Sequence, residues 1–420
     1  MRKLKRSSGL SLVLVALVAL LTITPATTQG AQSVSASRLQ RLSRGVNLSF
    51  WLWLQQVEGY GYTNFADYFN AYITDADHAT LRAMGLEHVR LPIDPALLFN
   101  ENDPTTLNAE NIAYVDRAID MILANDLAVI VDMHSLPDLN ERLALDDAFV
   151  VRFAAYWRTL AAHLSSRDPE MVFLEVLNEP AFVQWVANPA QRWSIVQERL
   201  LNAMREGAPE HTLIATGHDW SSMDSLMELT PVADPNVLYN FHFYEPHTFT
   251  HQGATWGDPI WTHLFDIPYP PTQENIGAIL PSLDSDGQQA AQQYEQEGWD
   301  ASVIDSRINE VAIWRERNGV NVISNEFGAF RDFASPQDRA HWISDARQAL
   351  ERYNIGWTMW DYTGNFGLME EKVDHQGDAW IMTSDSVGRF YERVMTTALK
   401  EKLPKLINKP SIKFDETPEP

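Results

Sequence analysis

Eight short apolar runs punctuate this chain, with stretches of helical length between them, and that rhythm limits the folds open to it. The runs cover residues 45–50, 88–92, 128–134, 171–178, 212–217, 237–244, 320–326 and 355–361. Val129-Ile130-Val131 and Val172-Phe173-Leu174 are continuously apolar instead of alternating. That is the pattern of strands covered on both faces, which are parallel strands joined by crossover helices. Between the second and third runs Ile112, Val115, Ile119 and Ile122 recur at helical spacing, and between the third and fourth Phe149, Phe153, Tyr156, Leu160 and Leu164 do the same. Eight strand–helix units suit a closed barrel better than an open doubly wound sheet, and no glycine-rich phosphate turn follows the first run. The expected fold is α/β, a single (β/α)₈ TIM barrel.

Most runs begin roughly 25 to 45 residues apart, the length of one unit with its loops. The gap over 245–319 is far longer. It holds Trp256, Trp261, a proline-rich stretch at 267–271 and a polar stretch at 288–294. It reads as an elaborated loop after strand 6 with short helices of its own, on the face where barrels build their sites.

The termini read differently. Arg2, Lys3, Lys5 and Arg6 precede an apolar run at 10–21, and small residues follow. This is the pattern of a secretory leader over residues 1–30, and the run is too short to span a bilayer. The barrel is expected over 31–399, with a proline- and lysine-containing tail over 400–420. The chain has no cysteine, so an exported protein of this kind must be held by packing, without disulfides or thiolate zinc. Losing the leader's four basic residues takes the formal charge from −24 to −28, with 28 Lys and Arg against 56 Asp and Glu. Such a surface repels nucleic acid and anionic membranes and is compatible with an uncharged polysaccharide.

Two glutamates close separate runs, Glu179 in Leu177-Asn178-Glu179-Pro180 and Glu326 in Asn325-Glu326-Phe327-Gly328. Parallel barrels display their chemistry at such positions. Cleavage of a glycosidic bond needs one carboxyl to protonate the leaving oxygen and another to attack or to activate water. Taken singly, Glu179 also reads as a helix cap and Glu326 as a structural acid; the pairing favours chemistry. Arg90, near the end of the second run, is either an ion pair in the barrel mouth with Glu175 or a cation that keeps Glu326 ionised, and the two roles are compatible. His134 follows Asp132, so it is a sugar partner or a member of a polar pair with Asp132; Leu136 stands where a second metal-binding histidine would, which argues against a metal. His242 and Tyr244, two apart on one strand, share a face while Phe243 points away. Trp360 ends the eighth run, where an indole is a floor for a sugar ring; Trp51, Trp53, Trp220, Trp256 and Trp261 extend that platform or simply pack.

In this order Gly45-Val46-Asn47, Val89-Arg90-Leu91-Pro92, Asp132-Met133-His134, Leu177-Asn178-Glu179-Pro180, His242-Phe243-Tyr244, Asn325-Glu326-Phe327-Gly328 and Trp360 resemble glycoside hydrolase family 5, of the clan of retaining (β/α)₈ enzymes, from about residue 44 to 391. The resemblance implies that Glu179 is the acid/base and Glu326 the nucleophile. It also implies that Asn178 bonds the sugar 2-hydroxyl, that Arg90 and Tyr244 hold Glu326 ionised with His134 and His242 in support, and that Trp360 stacks beneath the sugar. Phe249-Thr250-His251-Gln252-Gly253 with Trp256 looks like bacterial members acting on β-glucans, the endoglucanases or cellulases. The expected protein is a secreted monomer acting on β-linked polysaccharide or oligosaccharide, without cofactor or metal. Loops decide the substrate in this family, and β-mannanase, exo-β-glucanase and β-glucosidase stand as alternatives. From other classes, a non-catalytic sugar-binding barrel and a metal hydrolase using His134 and His242 remain.

Overall fold

The computed structural model describes residues 33–53, 63–134 and 137–368. The leader over 1–30, Leu136, the tail over 400–420 and the end of the family resemblance at 391 lie outside the described residues. Eight parallel strands close on themselves in sequence order: β1 (Arg44–Asn47), β2 (His88–Ile93), β3 (Ala128–Met133), β4 (Val172–Glu175), β5 (Leu213–Thr216), β6 (Val237–Phe243), β7 (Asn321–Phe327) and β8 (Gly356–Met359). All eight expected runs are strands. Their bounds differ most in the first and fourth, and the fourth run extends to 178 while the strand stops at Glu175. There the chain leaves the ladder, so that the Asn178 N–H bonds the Met133 carbonyl at the end of β3, and Pro180 has no N–H with which to continue a ladder.

Alternation along the strands sorts the barrel interior into layers. Ala128, Ile130, Phe173, Ile214, Leu238 and Ile323 form a buried apolar cluster with Leu42 at the entry end. Two residues further along the same strands stand Asp132, Glu175, Thr216 and Asn240, all fully buried. Gly45 is required by close approach: a Cβ there would lie 2.2 Å from Nε2 of His88, whose ring reaches across the interior to the Thr358 hydroxyl at 2.7 Å.

The outer helices form where polar caps precede the apolar spacing. Asn108 accepts from the Glu110 and Asn111 N–H groups to start the helix Ala109–Ala124, which buries Val115, Ile119 and Ile122. Asp146 starts Asp147–Leu164, which buries Phe149, Phe153, Tyr156 and Leu160. Indole N–H groups fasten helices to strand ends, Trp157 to the Val176 carbonyl at 3.0 Å and Trp193 to that of Thr216 at 2.7 Å. The long segment after β6 folds into helices His247–Thr250, Gln273–Ile279 and Ser285–Glu297 with two 3₁₀ turns, before the crossover helix Ala301–Asn318. Buried Gln252 bolts it together, donating to the Phe249 and Ile267 carbonyls and accepting from the Ile267 N–H. Among the described residues no helix is long and apolar enough to cross a membrane.

Candidate active site

Six strands and the loops beyond them bring the candidate side chains to the end of the barrel where the strands finish. Glu326 sits on β7 and Glu179 on the loop beyond β4, not on a strand as expected. Ligand atoms of Glu179, His242 and Glu326 all lie within 4.8 Å of one another. Glu179 has φ +41°, a left-handed conformation unusual for a residue with a Cβ. Its loop is held in place from both sides: the Trp220 N–H bonds the Pro180 carbonyl at 3.1 Å, the Phe182 N–H bonds that of His218 at 3.0 Å, and the Ala181 N–H bonds Asn140 Oδ1 at 3.3 Å. Backbone strain retained by such anchoring is a feature of working sites.

The two carboxyls have different surroundings. Glu326 accepts from Arg90 Nη1 at 2.6 Å on one oxygen and from the Tyr244 hydroxyl at 2.8 Å on the other. Glu179 has one oxygen 2.8 Å from His242 Nδ1. Its side chain is 26% exposed, against 5% for Glu326, so an incoming group meets Glu179 more freely. Burial raises the Glu179 pKa to about 7 with Glu175 adding to the rise, while Arg90 opposes it. Burial raises Glu326 as well, opposed by His242 and Arg90. His242 is itself brought down to about 4 by burial, so near neutrality it is uncharged and Arg90 is the cation that counts. Tyr244 is pushed well above its ordinary value by burial and by Glu326, and it stays a neutral donor.

Arg90 uses its whole fork. Nε and Nη2 clasp Glu175 at 2.8 and 3.0 Å, Nη1 also meets Asn47 Oδ1 at 3.0 Å, and Nη2 meets Asn178 Oδ1 at 2.9 Å and Asp132 Oδ2 at 3.0 Å. Burial alone would lower its pKa, but Asp132, Glu175 and Glu326 together hold it well above the ordinary value. Arg90 thus makes the expected ion pair with Glu175 and reaches Glu326 as well. His134 Nδ1 lies 2.8 Å from Asp132 and its Nε2 lies 3.2 Å from Asn178 Nδ2. Burial takes His134 down to about 3, and the neutral ring donates to Asp132 and accepts from Asn178.

Trp360 falls just past β8, its ring stacked 5.4 Å from that of His134 at 14°, with Trp53 edge-on at 6.4 Å. Trp51 is core, its indole N–H on the Phe69 carbonyl. Trp261 stacks on His247, 5.7 Å and 5°, while Trp220 and Trp256 stand 46% and 48% exposed. Tyr244 and Trp360 pack against a cluster drawn from three loops, Ala254 after β6, Phe330 after β7 and Phe366 after β8. Sequence reasoning brought forward neither Asn240 nor Asn325 as individual side chains. Asn240 was signalled by its place two residues before His242 on one strand face; Asn325 had no such signal, because it sits at a register shift.

Comparison with known proteins gives the chain's relatives. The family model described as Cellulase (glycosyl hydrolase family 5) matches residues 53–366. Endoglucanase 3 of Fibrobacter succinogenes is 28% identical over 346 residues, covering 79% of this chain and 51% of that protein; the chain thus spans about half of that relative's length. Endoglucanase C of Acetivibrio thermocellus is 26% identical over 325 residues, covering 76% of this chain and 90% of its own. The endoglucanase Cel5A from the hyperthermophilic Thermotoga maritima has the same fold, with a TM-score of 0.64 at 22% identity, covering 86% of this chain and 98% of that one.

Proposed function

The chain belongs to glycosyl hydrolase family 5, and from that premise we propose that it is an exported endo-β-1,4-glucanase that hydrolyses its substrate with retention of configuration. Glu326 attacks the anomeric carbon while Glu179 gives its proton to the departing oxygen, leaving a covalent glycosyl-enzyme. Glu179, now ionised, takes a proton from water, which attacks the same carbon and releases Glu326. One observation carries this reading: Glu179 and Glu326 offer oxygens within 4.8 Å of each other. Oxygens that close suit the roughly 5 to 5.5 Å carboxyl separation of retaining enzymes better than the roughly 6.5 to 9.5 Å that admits a water in inverting ones.

The surroundings support the division of labour. Arg90 and Tyr244 donate to both oxygens of Glu326 and favour its charged form. Glu179, raised to about 7, keeps a proton to give near neutral pH. Asn178 is held through its carbonyl oxygen by Arg90 and through its amide by His134, which orients it toward the sugar 2-hydroxyl, and Trp360 offers the ring face for stacking. Internal cleavage of a glucan is supported by the endoglucanase relatives, and export by the basic and apolar stretches of the first 21 residues.

Proton NMR of the first anomer released from cello-oligosaccharides tests the mechanism: the β-anomer is expected, and the α-anomer overturns it. Carboxymethylcellulose, barley glucan, xyloglucan and mannan run in parallel test the substrate. Faster cleavage of mannan moves the assignment to β-mannanase.

A further inference from the structure

Glu175 ends β4 with no exposure to solvent, yet it lies at the centre of the polar layer. Its Oε2 accepts from Arg90 Nε at 2.8 Å and Asn325 Nδ2 at 2.7 Å; its Oε1 accepts from Arg90 Nη2 at 3.0 Å and Asn240 Nδ2 at 3.1 Å. All four contacts are N–H donors, so neither oxygen has an acceptor for a proton of its own. Burial pushes the Glu175 pKa up and Arg90 opposes it; the donor set selects the ionised form. Asp132 contrasts with it: Oδ1 is buried without a partner, and burial raises this acid to about 7.

The donor from β7 carries the second half of the argument. β6 and β7 pair Phe241 with Ser324 and then His242 with Glu326, so Asn325 is an extra residue in the ladder. Such a bulge re-aims the side chain that follows it, here Glu326. Asn325 has no partner residue in that register. Its N–H bonds Asn240 Oδ1 at 2.8 Å instead, and its amide bonds Glu175.

We propose that Glu175 is a positioning residue for the hydrolysis inferred above: it fixes the Arg90 fork and the Asn325 bulge that together aim Glu326, and it sets a negative charge in the same Arg90 network that binds Asn178, the residue before Glu179. The inference rests on the hydrolytic reading of Glu179 and Glu326. Among the described residues the charged and titratable groups facing this pair are Arg90 from β2, Asp132 and His134 from β3 and its end, Glu175 from β4, and His242 and Tyr244 from β6 and its end. The negative charge of Glu175 favours the protonated form of Glu179.

The experiment is the pH profile of kcat/KM on barley glucan, whose leaving group needs an acid, for wild type, Glu175→Gln and Glu175→Asp. Glu175→Gln is expected to lose about 100-fold in kcat with little change in KM and to move the alkaline limb down by about one pH unit. Glu175→Asp keeps the charge and shortens the reach, so it is expected to lose kcat with its alkaline limb where the wild type has it. An unmoved limb in Glu175→Gln, or a limb in Glu175→Asp displaced as in Glu175→Gln, overturns the inference. If Glu175→Gln does not fold, Glu175→Asp decides by the same limb, any displacement from wild type counting against the proposal. A wild type inactive on every β-glycan overturns the hydrolytic reading and this inference with it; an active wild type with the wrong limbs overturns the inference alone.

Discussion

Two neighbouring layers of one barrel interior lie about two residues apart along the strands and differ in almost everything else. The lower holds Ala128, Ile130, Phe173, Ile214, Leu238 and Ile323. The upper holds Arg90 with Asp132, Glu175 and Glu326, and the asparagines that bind them. Both are sealed from solvent. Each large aliphatic or aromatic side chain of the lower layer contributes about 1.5 to 3 kcal/mol by leaving water. The upper layer gains no such term: its charges lose hydration, which their mutual attraction and hydrogen bonds only offset. One pleat period therefore separates the part of the barrel that holds it together from the part prepared for chemistry.

The hardest test of that separation is Glu326→Ala. It is expected to lower kcat by about 10⁴-fold or more, since no second group can form the covalent bond. Azide is expected to restore part of the turnover and yield a glycosyl azide. The melting temperature should hold or rise, because an acid that burial disfavours has been removed. A variant that unfolds would show the upper layer to be structural and erase the contrast.

Phe173→Ala makes the opposite cut. Phe173 is fully buried in the lower layer, and a cavity of that size is expected to cost about 3 to 5 kcal/mol, read from urea unfolding. The kcat of the folded protein should stay within about twofold. A collapse of kcat alongside stability would mean that the lower layer positions Glu175, two residues along β4, and the two functions would no longer be separable.

Much of this division could be read from the chain because hydrophobic periodicity is local. The runs at 128–134 and 237–244 contain both layers in alternation, and eight such runs with helical spacing between them lead to a closed barrel. Arg90, Glu326, His242 and Tyr244 could be placed because strand ends face the mouth. Two things could not be read. Glu179 is brought to the site by a left-handed turn whose loop is held by contacts from Trp220, His218 and Asn140, all distant in sequence. Asn325 is set by a register shift between two strands, and pairing across some 80 residues leaves no trace in the local spacing. Tryptophans divide in the same way: nothing near Trp51 or Trp256 in the sequence says that one is core and the other exposed.

The smallest expected effect tests whether the upper layer is truly held at a cost. The pKa of Glu179 is raised from its ordinary 4.5 to about 7 in the folded protein, so the native state binds this proton more tightly than the unfolded chain does. Its contribution to stability is complete below the unfolded value and is lost as pH rises toward and through about 7. Glu179→Gln cannot ionise and escapes that loss, while Asp361, raised to about 6 by burial, titrates in both proteins and cancels in the difference; Asp132, raised by burial and in part by Glu179, is relieved in the variant, which adds to the difference in the same direction. The two proteins should melt together near pH 4.5 and separate by on the order of 2 kcal/mol, or about 3 °C, by pH 8, with the variant the more stable. Scanning fluorimetry across that range reads it directly. A separation that is the same at both ends would mean that Glu179 ionises as an ordinary carboxyl, and a layer that imposes no cost on its acid has no means of keeping that acid protonated for a leaving group.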